Sequence, residues 1–159
     1  QLIAGLRARF GVGEKQRSQP VSNTSHSKAE SYTAMLTVFE RDCAYFQMLA
    51  KHNSTSASFV LQPFAPWIQK TLTEQEKELF ELLDQEAEGF SRVLSELAER
   101  KQQYTQDLQA ICARTGLKFV DLNTAPELQK PDWLFVDRVH LTDAGYSVVA
   151  KLLVRDLSL

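Results

Sequence analysis

An α/β domain with a parallel sheet is the fold class that this 159-residue sequence predicts. Three observations point there. Two short apolar runs, Ser58–Leu61 and Lys118–Leu122, have strand length and end at turn signals. Segments whose apolar residues repeat at helical spacing stand before, between and after them. The resulting order (helix, strand, long helix, strand, loop, helix) calls for parallel strands with helices covering the sheet faces.

Residues 1–26 are expected to be a helix tail and a flexible polar loop. Leu2, Ile3, Leu6 and Phe10 suit one side of a helix, and Gly11 and Gly13 stop it. From Glu14 to Ser25 the chain is polar, contains Pro20 and has no apolar period, as a loop would. Residues 27–159 read as one part of a single domain. Ser27-Lys-Ala-Glu30 is a capping box. Behind it Tyr32, Met35, Leu36, Phe39, Cys43, Phe46 and Ala50 predict an amphipathic helix to about Lys51. After the strand at Ser58–Leu61, Pro63 and Pro66 prevent the ladder from continuing. Thr73-Glu-Gln-Glu76 is a second capping box, opening a helical pattern that reaches Ile111, with Gly89 as the expected break and Gly116 as the stop. Two strands make a small sheet, so further strands are expected from outside these residues.

Composition removes several classes of function. The net charge of −2 supplies no basic field, so no nucleic-acid partner is expected. No run of about eighteen apolar residues exists, so no membrane span is expected. The two cysteines, Cys43 and Cys112, lack metal-ligand spacing and read as buried thiols, with a single disulfide as the alternative. No cofactor is called for. The chain opens with Gln1 rather than Met, which leaves localisation open.

The stretch that carries chemistry is Asp132-Trp-Leu-Phe-Val-Asp-Arg-Val-His-Leu-Thr-Asp-Ala-Gly-Tyr146. It places Asp137 and His140 three residues apart, just before a helix for which Thr142 is a good N-cap. Leu141 and Tyr146 occupy the positions of a hydrophobic staple, and Asp143 suits the positive end of the helix dipole. A histidine pinned at a helix start suits general-base work, and an aspartate one turn earlier can fix its tautomer and stabilise its charged form. The plainer reading is that Asp137 caps a turn and His140 is an ordinary histidine. Asp137, His140 and Asp143 also have spacing a metal could use, but a fourth ligand is lacking. Gln62, at the end of the first strand, is a candidate for lining a substrate site or a structural turn residue. Trp67 and Trp133 flank the two bordering loops, as pocket walls or as core.

Asp137-Arg-Val-His-Leu-Thr-Asp-Ala-Gly-Tyr146 closely resembles the last sequence block of the SGNH/GDSL serine hydrolases, in which Asp-x-x-His precedes an apolar helix. Phe59-Val-Leu-Gln-Pro63 resembles that family's central strand running into an active-site loop, and Lys118-Phe-Val-Asp-Leu122 is similar to its final strand. The resemblance spans Ser27 to Leu159, and only its last block is specific. It implies the C-terminal portion of a three-layer α/β/α, flavodoxin-like fold acting on ester bonds, of esterase, lipase or carbohydrate O-deacetylase type. It also implies His140 as catalytic base and Asp137 as its orienting acid. The family's nucleophile lies in a Gly-Asp-Ser-like block, and its oxyanion hole takes a Gly and an Asn from two further blocks. This sequence has no Gly-Asp-Ser and no Gly-x-Asn-Asp before its first clear helix. The expected partners are therefore a small-molecule or carbohydrate ester and a serine-bearing segment, from the same protein or a partner chain. The alternative is a non-catalytic binding or regulatory module that keeps the scaffold.

Overall fold

Phe59, Val60, Phe119 and Val120 are β-formers whose side chains alternate across a sheet, and the structure is built around them. The structure, a computed structural model, describes residues 28–86 and 88–159. The expected helix tail, the polar loop and the Ser27 side of the first capping box lie outside the described residues. The elements are α1 (Lys28–His52), β1 (Ser58–Leu61), α2 (Glu74–Glu86), α3 (Glu88–Glu99), α4 (Lys101–Thr115), β2 (Lys118–Asp121) and α5 (Asp143–Leu157). Short 3₁₀ turns lie at Ala65–Trp67, Leu122–Thr124 and Pro126–Gln129. The fold is mixed α/β, mostly helical, with one small parallel sheet.

β1 and β2 pair in parallel, with Phe59 opposite Phe119 and Val60 opposite Val120. The two-residue period sorts the core. On one face, Phe59 stacks on Phe119 at 6.1 Å between ring centres and meets Phe39 of α1 edge-on at 4.8 Å. Cys43, Ile111 and Cys112 complete that cluster, so α1 and α4 cover this side. On the other face, Val60 and Val120 pack with Val149, Leu152 and Leu153 of α5. Both thiols are free and buried, and burial pushes that of Cys112 up to about 12, which leaves it unreactive near neutral pH. Gly116 ends α4 in the left-handed region at φ 80°, and the Leu117 N–H closes the helix on the Cys112 carbonyl at 2.9 Å.

Two expectations are refined. Gly89 is itself helical, in the first turn of α3, which begins at Glu88 where α2 ends at Glu86. The long helical pattern also divides at Arg100, which leaves the helical region at φ −95° and ψ 9°. The cause is tertiary. The Trp67 indole N–H donates to the Leu97 carbonyl at 3.0 Å, and Lys101 donates to the Trp67 carbonyl, so the turn around Trp67 captures the junction. Phe46, expected on the inner side of α1 with Leu36, Phe39, Cys43 and Ala50, is instead 64% exposed. It rims a hollow with Phe39, Cys43 and Phe59, and no described element covers it. Among the described residues no helix is long and apolar enough to cross a membrane.

Candidate active site

After β2 the chain turns at Leu122–Thr124 and Pro126–Gln129 and enters a ten-residue excursion from Trp133 to Thr142 before α5 begins. The excursion folds back on itself. Phe135 and Leu141 form an antiparallel bridge, the Val136 N–H donates to the His140 carbonyl at 3.0 Å, and the Thr142 N–H donates to the Leu134 carbonyl at 2.9 Å. Asp137 and His140 occupy the tip, beyond the C-terminal end of β2, where open parallel sheets place their sites.

The Asp137 carboxylate is used by three donors. Oδ1 accepts the backbone N–H groups of Val139 and His140, each at 2.7 Å, and Oδ2 lies 2.6 Å from His140 Nδ1. Partial burial works to raise the Asp137 carboxyl, but the two N–H donors and the imidazole outweigh it and hold the group below the usual aspartate range. An ionised Asp137 can only accept, so a neutral His140 ring carries its proton on Nδ1 and leaves Nε2 as the basic nitrogen. The imidazole is largely exposed, and the carboxylate is three-quarters covered.

His140 borders a cleft of about 320 Å³ that it shares with Gln62, Pro63, Tyr146 and an apolar floor including Val60 and Leu122. The turn holding Gln62 is tied to the excursion, since the Ala65 N–H donates to the Arg138 carbonyl at 2.9 Å. Buried Asn123 secures the same turn, accepting from the Phe64 N–H at 2.7 Å and donating to the Gln62 carbonyl at 3.0 Å. The Arg138 guanidinium grips Asp84 of α2 with two nitrogens and lies 5.2 Å over the Phe80 ring. The structure thus brings Asp137 and His140 into contact and sets Gln62 on the same cleft.

Thr142 is the N-cap of α5: its Oγ1 accepts the Gly145 N–H at 3.1 Å and donates to the Trp133 carbonyl at 3.0 Å. Gly145 is required by proximity, because a Cβ there would stand 2.3 Å from the Leu134 carbonyl oxygen. Asp143 does not join a metal site; the described residues hold no group of three His, Cys, Asp or Glu side chains placed for one. Trp67 is core, and Trp133 is half exposed with its indole on the Phe135 carbonyl. Sequence reasoning did not single out Asn123, Arg138 or Lys70, and it gave Glu76 only a capping role. The Thr73–Glu76 box was the one local signal available for any of them. No protein-family model matches this chain, and no curated protein matches it.

Proposed function

We propose that the chain is the acid–base portion of an SGNH-type hydrolase that cleaves esters. The observation that carries the reading is the 2.6 Å contact between Asp137 Oδ2 and His140 Nδ1 on a braced loop, with the basic Nε2 left for a reacting group. In this scheme His140 takes the proton of an attacking serine and returns it to the leaving alcohol, while Asp137 holds the tautomer and stabilises the imidazolium. None of the described residues lining the cleft is a serine, threonine or cysteine, and the sequence holds no Gly-Asp-Ser block, so this reading assigns the nucleophile to a further segment of the protein or to a partner chain. Gln62, at the cleft rim, is assigned to substrate contact.

The proposed complete fold is the three-layer α/β/α arrangement of that family. Supporting it, the two-stranded sheet already has helices on both faces, and α1 leaves Val38, Tyr45, Met48 and Leu49 exposed, as a helix awaiting a neighbour would. The ester reading is tested in the protein together with its serine-bearing part. His140→Ala is expected to lower turnover of p-nitrophenyl acetate by about 10⁴-fold or more, with the circular dichroism spectrum unchanged. Unchanged turnover would sink the assignment and favour the second reading, a binding module that keeps the scaffold, for which the lack of a serine, threonine or cysteine among the described residues of the cleft speaks.

A further inference from the structure

One buried carboxylate lies away from the cleft and holds the excursion that carries it. Glu76, in the first turn of α2, has a fully buried side chain, as does Lys70 beside it. Its Oε1 accepts from Lys70 Nζ at 2.6 Å, from the Leu134 N–H at 3.0 Å and from the Phe135 N–H at 3.1 Å. Its Oε2 accepts the Thr73 N–H at 2.9 Å, and the Thr73 hydroxyl accepts the Glu76 N–H at 3.2 Å. Lys70 makes a second bond, to the Asp132 carbonyl at 2.7 Å. The capping box of α2 is therefore also a clamp on the chain entering the excursion.

We propose that Glu76, locked by Lys70, is a positioning residue for the Asp137–His140 pair; the inference rests on the hydrolase reading of that pair. Leu134 and Phe135 are the outer limb of the excursion, and the inner limb from His140 to Thr142 is registered on it through the Val136, Phe135 and Leu134 backbone. Asp137 and His140 sit between the limbs. If the outer limb shifts, the register that closes Asp137 on His140 shifts with it. A carboxylate is suited to the task because its two oxygens accept several N–H groups at once. The ammonium of Lys70 offsets the cost of burying the charge.

The test reads the His140 tautomer, which a purely structural role elsewhere in the fold would not move. In the intact chain at pH 8, long-range ¹H–¹⁵N spectra are expected to show His140 protonated on Nδ1, and Asp137→Asn should abolish that preference. Replacing the clamp by apolar side chains of similar length, Lys70→Met with Glu76→Met, is expected to lose the Nδ1–H form as Asp137→Asn does. Lys70→Met with Glu76→Gln restores an acceptor oxygen and is expected to regain most of it. A folded Lys70→Met/Glu76→Met protein that keeps the native tautomer overturns the proposal. Should that variant not fold, hydrogen exchange on the unaltered chain decides. Leu134 and Phe135 amides protected like those of α5 support the clamp, and amides exchanging like exposed loop positions overturn it. Failure of the hydrolase reading is visible separately, as unchanged turnover in His140→Ala whatever the tautomer does.

Discussion

Glu76 and Asn123 are both buried polar residues, and each ties down one of the two loops that meet at the cleft. Asn123 holds the turn after β1, and Glu76 holds the excursion after β2. Asn123 is neutral and carries both a donor and an acceptor, so it satisfies the Phe64 N–H and the Gln62 carbonyl with one side chain. Its remaining bond goes to Asp121 next door, at 2.8 Å. Glu76 can only accept, and it gathers three backbone N–H groups; the charge that makes this possible also demands the buried Lys70. A neutral clamp is self-contained, and a charged clamp grips more backbone but needs a partner.

Three changes test that contrast. The largest effect is expected from Lys70→Met, which leaves the Glu76 carboxylate buried without its counter-charge. Stability should fall by about 3–5 kcal/mol, read from urea unfolding. A loss no larger than that of a surface substitution would mean that Glu76 finds water or a proton instead. Asn123→Ala should cost less, about 1–3 kcal/mol, because it strands one N–H and one carbonyl but no charge. If Asn123→Ala proved the more damaging of the two, the ranking of charged over neutral clamps would be wrong for this fold.

The smallest effect separates the clamps by pH. Burial works to raise the Glu76 carboxyl, but Lys70 and the Thr73 and Leu134 amides outweigh it and set the group below the usual glutamate range. A carboxyl lowered in the folded state contributes stability that is fully present above the unfolded value, about 4.3, and is lost as the pH falls through the folded value. Between pH 7 and about 4.5 the unaltered chain should therefore show almost no change from this group, followed by a decline. Lys70→Met/Glu76→Gln should show a shallower decline than the unaltered chain below pH 4, and Asn123→Ala should decline in parallel with it. Urea midpoints from pH 3 to 7 measure all three, and parallel curves throughout would remove Glu76 from the acid limb.

The strands and the start of α5 were legible because their signals are local. Ser58–Leu61 and Lys118–Asp121 are short β-forming runs, and Thr142 caps a helix three residues ahead of Gly145. The Asp137–His140 contact was legible for the same reason, since three residues on a tight turn bring the two side chains within reach. The break at Arg100 was not. Gly89 has low helix propensity yet stays helical, and Arg100 has good propensity yet ends a helix, because Trp67 takes the Leu97 carbonyl from outside. Phe46 followed the apolar period and still ended exposed, because helical spacing marks a face without saying what covers it.

The α/β class, the strand positions, the α5 cap and the contact of Asp137 with His140 follow from local sequence. Each depends on residues a few positions apart, where backbone geometry alone decides who meets whom. Long-range packing is what lets Glu76 reach Leu134 and Phe135, 58 and 59 residues away, Asn123 reach back 59 and 61 residues to Phe64 and Gln62, and Arg138 meet Asp84. Those bonds have no sequence period to announce them. They exist because packing the apolar faces encloses backbone N–H and carbonyl groups that water can no longer satisfy, and whichever polar side chain the fold has brought alongside must do so.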